Sequence, residues 1–198
     1  AAKGKTLVFS YGFGETSADN IKKLTGMTIS RVDGKSSVKL TALSDASKFG
    51  IPGSSFGADV TADPRWYVTG GSDMQLAKFS DGKTGFAVKN VGTHKAVFFG
   101  GMRMNTDVIR AIVKYGNGHI FADSDDVYMA NENMLVLHSS KKGVKTLSFP
   151  AKTDVYDYFK NEWHTNVSSI KISAEYGETR YFFYGKKSEI EAMKLPKW

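Results

Sequence analysis

The spacing of apolar and polar positions in this chain changes near its middle. Residues 5–10 contain three consecutive apolar residues, which predicts a central strand buried on both faces. Ser17 then stands where the N-cap of a short helix over residues 18–24 is expected, and Gly26 follows the end of that helix. Apolar residues three and four positions apart predict a second helix within residues 105–116, with Thr106 or Asn105 as its N-cap. The first half of the chain therefore combines strands with helices.

Short apolar or alternating segments predict further strands in the first half, at residues 27–32, 38–43, 65–68, 76–79, 85–91 and 95–99. Asp33-Gly34 between the first two of these predicts a β-hairpin. The segment from Ser44 to Pro64 is predicted to be a long loop, within which residues 50–57 have no periodicity, and loops of that length are typical of functional or mobile parts.

After Gly118 nearly every segment has the pattern of a strand. The predicted strands are residues 119–122, 127–129, 134–137, 144–149, 154–159, 167–174 and 180–184. Strands at intervals of roughly ten residues predict a small sandwich. The fold class expected is thus α/β followed by all-β: a mixed sheet with few helices over residues 1–126, then a small antiparallel β domain over residues 127–198.

Several of these segments also carry a resemblance. They are Leu7-Val8-Phe9-Ser10-Tyr11-Gly12, Leu24-Thr25-Gly26, Gly118-His119-Ile120-Phe121, Asp125-Asp126-Val127-Tyr128-Met129-Ala130-Asn131, Leu137-His138, Gly143-Val144-Lys145-Thr146-Leu147, Phe149-Pro150 and Asp154-Val155-Tyr156-Asp157. Their order resembles the C-terminal non-catalytic region of glycoside hydrolases related to the family-42 β-galactosidases. The resemblance implies a glutamine-amidotransferase-like α/β domain used in trimerisation, followed by a small β domain. The implied function is an accessory or oligomerisation role, and the implied partners are further copies of the chain or a catalytic domain of the same protein.

Composition limits the chemistry. The chain has no Cys, which excludes disulfides, thiolate metal sites and a Cys nucleophile. Because a glutamine amidotransferase needs a Cys nucleophile, that reaction is excluded as well. The net charge is +7, but the basic residues are spread along the sequence, so no nucleic-acid partner is expected. No apolar run reaches the length of a membrane span. The cellular compartment is not determined by the lack of Cys, because exported proteins often lack Cys too, so export stays one of the options.

Two segments contain candidate catalytic or metal-binding residues. Gly53-Ser54-Ser55-Phe56-Gly57 fits the letters of a nucleophile elbow, but no strand precedes it and no helix follows it, so a structural loop is the preferred interpretation. Asp123, Asp125 and Asp126 form an acidic turn with oxygen ligands that suit Ca²⁺ or Mg²⁺, and the preferred interpretation is a turn whose carboxylates bond backbone amides. No catalytic pair and no cofactor are assigned. If the resemblance holds, the catalytic carboxylates belong to a barrel outside this sequence.

Aromatic residues are the remaining candidates, because sugars stack on rings. The candidates are Trp66, Tyr156, Tyr158, Trp163 and Trp198. Alternation places Tyr156 and Tyr158 on one strand face and Val155 and Phe159 on the other. Burial in a core is the competing explanation, as for most aromatic residues in strands. A polysaccharide is therefore the alternative partner, bound through surface Trp and Tyr. A third hypothesis, a small enzyme, would use Ser55 or the acidic turn.

Overall fold

The structure, a computed structural model, describes residues 3–14 and 17–195. The chain divides into two compact units, residues 1–118 and 119–198. It is mostly β, with 46% strand and 15% helix, as expected for a mixed sheet with few helices. No helix in the described residues is long and apolar enough to cross a membrane.

The described part of the first unit contains ten strands and three helices. They are β1 (Thr6–Ser10), α1 (Ala18–Thr25), β2 (Thr28–Val32), β3 (Ser36–Ser37), β4 (Leu40–Ala42), α2 (Ser44–Lys48), β5 (Ser55–Phe56), β6 (Thr61–Ala62), β7 (Arg65–Gly70), β8 (Met74–Lys78), β9 (Thr84–Asn90), β10 (Lys95–Phe99) and α3 (Thr106–Tyr115). The main sheet has the order β1-β10-β9-β8-β4-β5, with β2 and β7 joined through β9. β1 and β10 pair in parallel, and the other pairs of this sheet are antiparallel.

Helices cover both faces of this sheet. Ala96 and Phe98 of β10 face a core that includes Ile21 of α1. Val97 and Phe99 of the same strand face a second core that includes Val108, Ala111 and Ile112 of α3. A strand buried on both faces reads as a continuous apolar run, which explains the Ala-Val-Phe-Phe sequence of β10.

Local signals set the helix ends as the sequence predicts. The Ser17 side chain accepts a bond from the amide of Asn20, 3.2 Å away, and Gly26 ends α1 in the left-handed conformation with φ of 67°. The side chain of Asn105, rather than that of Thr106, accepts from the amide of Val108 at 2.9 Å. These contacts satisfy backbone amides that have no partner inside the helix.

The predicted hairpin around Asp33-Gly34 is wrong. β2 pairs with β7, β3 pairs with β6, and β4 pairs with β5 and β8. The segment from Ser44 to Pro64 is also not irregular throughout, because it contains α2, β5 and β6. The side chain of Asp63 accepts from the Gly34 amide at 2.9 Å, so residues distant in sequence hold the predicted turn.

The second unit contains β11 (Val127–Ala130), β12 (Met134–His138), β13 (Gly143–Asp157), β14 (Glu162–Ala174), β15 (Thr179–Gly185) and α4 (Lys187–Ala192). Its strands form one antiparallel sheet of order β11-β12-β15-β13-β14, instead of the predicted sandwich of two sheets. β13 continues through Pro150 because its register shifts between Ser148 and Thr153, and Pro is tolerated at such irregularities. The two strands predicted at residues 144–149 and 154–159 therefore belong to the single strand β13, which ends at Asp157.

The unit's core contains Leu135, Leu137, Val155 and Phe182. A buried ion pair between Arg180 and Asp157 lies beside it, with residue exposures of 4% and 0%. Burial lowers the pKa of the Arg180 guanidinium. A buried pair of this kind is costly to break, since either charge alone would be unsatisfied.

Residues 119–126 are held to the second unit, although the sequence places the boundary after Asp126. Ala122 forms an isolated bridge with Leu147, and the Ser148 amide donates to the carbonyl of Phe121 at 2.8 Å. The predicted strand over residues 119–122 is therefore reduced to this bridge. His119 is exposed, not buried as that strand required, and its Nε2 lies 2.8 Å from the Ser148 carbonyl.

Candidate functional site

The acidic turn does not gather its three carboxylates into a ligand set. In residues 3–14 and 17–195, no group of three or more His, Asp or Glu side chains is placed to hold a metal ion. Asp123 and Asp125 are exposed residues, whereas the side chain of Asp126 is only 1% exposed. The turn therefore separates two surface carboxylates from a buried one.

Asp126 is surrounded by donors. Its Oδ1 accepts from the Ser140 amide at 2.8 Å and lies 3.0 Å from Nζ of Lys145, which is 2.9 Å from Oδ2. Burial alone would raise the pKa of this carboxyl, but hydrogen bonds from Ser124, Lys145 and Ser140 outweigh it and lower the pKa to about 2. An ammonium group thus occupies the position in which a metal cation would neutralise this carboxylate.

Ser55 is not placed as a nucleophile elbow requires. Ser55 lies within β5, where it pairs with Thr41 of β4, and it is exposed to solvent. An elbow places the nucleophile on a sharp turn between a strand and a helix. The letters Gly-x-Ser-x-Gly here belong to a short strand at the edge of the sheet.

The structure brings three of the predicted aromatic residues together. Tyr156 of β13 and Trp163 of β14 are direct cross-strand partners, with ring centroids 4.9 Å apart and planes tilted by 33°. The Tyr158 ring lies 6.4 Å from that of Tyr156. All three residues are half-buried, and they lie opposite the buried Val155 and Asp157, as the alternation predicts.

Three aromatic residues that the sequence reasoning did not include extend this group. Phe183 lies 5.9 Å from Tyr158, and Phe159 lies 5.5 Å from Tyr158 and 5.2 Å from Tyr181. Phe159 was expected on the opposite face, but β13 ends at Asp157 and the chain turns over residues 158–160; Tyr158 still bonds the neighbouring strand, through its amide to the Tyr181 carbonyl. We call Tyr156, Tyr158, Phe159, Trp163, Tyr181 and Phe183 the aromatic surface.

Polar groups border the aromatic surface. The Tyr156 hydroxyl donates to Oδ1 of Asn161 at 2.9 Å, which leaves the amide group of Asn161 as a donor. Nζ of Lys187 stands 5.1 Å from the centroid of the Trp163 ring. Asp154 helps to position this lysine, because its Oδ2 accepts from the Lys187 amide at 3.1 Å. Rings edged by fixed donors suit ligands that have both apolar faces and hydroxyl groups.

Trp66 lies in the first unit, apart from this group. It borders a cleft of about 400 Å³ that is also lined by Ser10, Tyr11, Gly12 and Arg31. A Cβ atom added at Gly12 would stand 2.8 Å from the indole Nε1, so this glycine allows the ring to approach the backbone. Trp198, the fifth aromatic candidate, lies outside the described residues.

The second unit also contains a largely apolar groove of about 650 Å³. Its lining includes Phe121, Pro150 and Tyr184. Burial, followed by the charge of Glu132, raises the pKa of the Tyr184 phenol, whose hydroxyl donates to the Asn131 carbonyl. No sequence pattern pointed to this groove, because its walls come from segments that are far apart in the chain.

No family model matches the chain, and no curated protein matches it by sequence. Solved structures do match it in fold. A β-galactosidase from Bacillus circulans sp. alkalophilus matches with a TM-score of 0.58 at 9% identity, and a β-galactosidase from Rahnella sp. R3 with 0.52 at 13% identity. The GH42 β-galactosidase Gan42B matches with a TM-score of 0.50 at 12% identity.

Each match covers 90% of this chain but only 28–29% of the β-galactosidase chain. At such low identity the likeness is one of fold. The chain is therefore similar in fold to a partial region of GH42 β-galactosidases, across both of its units, and spans less than a third of the length of those enzymes.

Proposed function

We propose that this chain is a non-catalytic accessory portion of a larger, glycoside-hydrolase-like protein related to the β-galactosidases. The observation that carries the proposal is the extent of the fold match: 90% of this chain against 28–29% of each β-galactosidase chain. The remaining, unmatched part of such an enzyme would supply the catalytic carboxylates. The present chain would support that part or assemble it into an oligomer.

We also propose that the first unit is an amidotransferase-like domain that serves oligomerisation. The parallel pair of β1 and β10, with α1 packed on one sheet face and α3 on the other, supports this assignment. The antiparallel neighbours of β10 make the sheet mixed. Lack of Cys is compatible with an amidotransferase-like fold that has no amidotransferase reaction.

The first experiment is the intact mass of the natural polypeptide, measured by mass spectrometry on material from the source organism. We expect a polypeptide several times larger than 21.7 kDa that hydrolyses a nitrophenyl β-galactoside, while the present chain alone does not. A natural product of 21.7 kDa would refute the accessory role. Hydrolysis by the chain alone, abolished by Ser55→Ala or Asp125→Ala, would establish the competing small-enzyme hypothesis instead.

Oligomerisation is tested separately on the chain itself. Light scattering coupled to size exclusion should give about three times the 21.7 kDa chain mass across a range of protein concentrations, since the resemblance implies a trimer. A monomer at every concentration up to the hundred-micromolar range would remove the oligomerisation role and leave only support of a neighbouring domain.

A second candidate function is binding of a polysaccharide, and the grouping of Tyr156, Tyr158 and Trp163 on one sheet face favours it. The test is affinity electrophoresis on gels that contain neutral and acidic glycans. Trp163→Ala should weaken retention by about tenfold, the effect of losing an aromatic contact of somewhat over 1 kcal/mol.

The matched control is Tyr176→Ala. Tyr176 is an aromatic residue of the same unit that is 80% exposed and stands outside the aromatic surface. Equal retention of wild type and Trp163→Ala on every glycan that the chain binds would place binding elsewhere, and no retention on any glycan would dismiss this second function.

A further inference from the structure

The net charge of the protein is confined to its first unit. Residues 1–118 contain 16 basic and 9 acidic residues, whereas residues 119–198 contain 11 of each. The first unit therefore carries the whole excess of +7, and the second is neutral. The basic residues are spread along the chain as expected, and the difference arises because the longer first unit contains fewer acidic residues than the second.

Part of this excess converges at one end of the first unit's sheet. β1 and β10 are parallel and in register from Thr6 and Lys95, so their amino-terminal ends are adjacent. The amide of Lys95 donates to the carbonyl of Lys5 at 3.0 Å, and the Gly4 amide donates to the carbonyl of Thr93 at 2.7 Å. These bonds place Lys3, Lys5 and Lys95 at the same edge.

Two helix ends meet this edge because each helix follows one of the parallel strands. The carbonyl of Leu24, at the end of α1, lies 2.7 Å from Nε2 of His94 in the β9–β10 turn. This contact brings the last turn of α1, with exposed Lys22 and Lys23, beside that turn. The Lys95 ammonium donates to the carbonyl of Tyr115 at the end of α3.

We call Lys3, Lys5, Lys22, Lys23, Lys89, Lys95 and Lys114 the lysine end. Lys89 is the second-last residue of β9, and a Cβ added at Gly26 would stand 2.9 Å from its Cγ. The acidic residue on these strand and helix ends is Asp73, whose carboxylate lies 2.6 Å from Nζ of Lys89. The Asn90 amide and then the Lys89 ammonium lower the Asp73 pKa, so this carboxylate compensates the charge of Lys89.

Helix electrostatics explain only part of this arrangement. Lys22, Lys23 and Lys114 stand in the last turns of α1 and α3, where a cation complements the negative end of the helix dipole. Lys3 and Lys5 belong to no helix, and both are exposed. A surface on which several exposed ammonium groups meet one carboxylate attracts anions over a distance of about the Debye length, roughly 10 Å.

We propose that the lysine end binds an acidic polysaccharide, one whose sugar units carry carboxylates. All seven residues are lysines, which act as point charges, whereas arginines would favour bidentate contacts with phosphate. A polymer with a carboxylate on each sugar offers many separate anions to such a group of separate cations. The choice of a polysaccharide over another polyanion rests on the proposed glycoside-hydrolase relationship. The surface is distinct from the aromatic surface, which belongs to the other unit.

The test is binding of the full chain to polygalacturonate, measured by affinity electrophoresis at low and high salt. The neutral comparison is the same polymer after chemical reduction of its carboxylates. A variant with Lys5→Gln, Lys23→Gln and Lys114→Gln removes three charges from the lysine end. The matched control, Lys142→Gln, Lys160→Gln and Lys171→Gln, removes three exposed charges from the second unit. Far-UV circular dichroism checks that both variants are folded.

We expect the lysine-end variant to bind polygalacturonate on the order of tenfold more weakly at low salt, from three exposed charge contacts, and the control variant less than about twofold. Binding should fall steeply with salt, and the reduced polymer should not bind. Equal losses in both variants, or equal retention on the reduced polymer, would overturn the proposal. Tighter binding of duplex DNA or anionic vesicles would name a different partner for this surface, without affecting the accessory role.

Discussion

The substitution Asp126→Asn tests whether the acidic turn is a structural ion pair. The Asp126 and Lys145 side chains are 1% and 7% exposed, so the change leaves a buried ammonium without its counter-charge. Removal of one partner from a buried pair costs about 3–5 kcal/mol of the free energy of unfolding. We expect a loss near the lower end, about 3 kcal/mol, because the new amide can still accept from Lys145 and Ser140.

The pH dependence of the free energy of unfolding gives a second, independent measure of how much Asp126 stabilises the fold. The pKa of Asp126 falls from 3.8 to about 2 on folding, and this difference stabilises the fold by about 2.5 kcal/mol above the unfolded pKa. A depressed carboxyl pKa contributes stability that is lost as the pH falls through the folded value. The stability difference between wild type and Asp126→Asn should therefore narrow by about 2 kcal/mol between pH 5 and pH 2.

Urea unfolding followed by far-UV circular dichroism and tryptophan fluorescence measures both quantities. The control is Asp123→Asn, an exposed carboxylate three residues away, which should change the stability by no more than about 0.5 kcal/mol. The reasoning fails if Asp126→Asn stays within 1 kcal/mol of wild type at pH 7. It also fails if the difference between the two proteins is the same at pH 5 and pH 2.

Three further substitutions test the fold. Asp157→Asn should lower the free energy of unfolding by about 3–5 kcal/mol in urea, since it removes the buried carboxylate of the pair and leaves Arg180 with only the partly exposed Glu178, 3.4 Å away. Asn105→Ala should cost about 1 kcal/mol through loss of the α3 cap, seen as a lower urea midpoint. Gly71→Ala should lower the melting temperature by several degrees, because φ is +82° there and the new Cβ would stand 2.7 Å from the carbonyl oxygen of Gly26.

The sequence predicted those elements whose signals are local. Ser17, Gly26 and Asn105 end their helices through contacts within a few residues, so the residue type alone indicates the boundary. Such features do not depend on which distant segment packs against them. Burial does depend on it: the apolar run of β1 predicted a central strand buried on both faces, but β1 lies at the end of the sheet and Val8 is 44% exposed, whereas the neighbouring β10 is the strand covered on both faces.

Strand pairing failed where the partner is distant in sequence. Asp33-Gly34 has the letters of a hairpin turn, yet β2 pairs with β7, more than thirty residues further along the chain. Ile29 and Val68 of these two strands lie in the same core with Ile21 of α1. Burial of that shared apolar face decided the pairing, and a turn motif contains no information about it.

The aromatic surface was only half predictable for a related reason. Alternation correctly placed Tyr156 and Tyr158 on one face. In β15, however, Tyr181 and Phe183 alternate with Phe182 and Tyr184, so both faces of that strand are aromatic. The pattern therefore cannot tell which pair enters the core. The structure buries Phe182 and Tyr184, because they pack with the core of the second unit, and leaves the other two on the aromatic surface.

The position of the boundary between the units also decides the electrostatics. With the boundary after Asp126, as the sequence suggested, the two parts would carry +4 and +3, and no surface would stand out. The contact of Ala122 with Leu147 and the pair of Asp126 with Lys145 transfer the acidic turn to the second unit. Three negative charges move with it, which leaves one neutral unit and one that carries +7. Charge segregation in this protein is thus a consequence of tertiary contacts made by eight residues, whereas the lysine end follows from the parallel pairing of β1 with β10 inside the first unit.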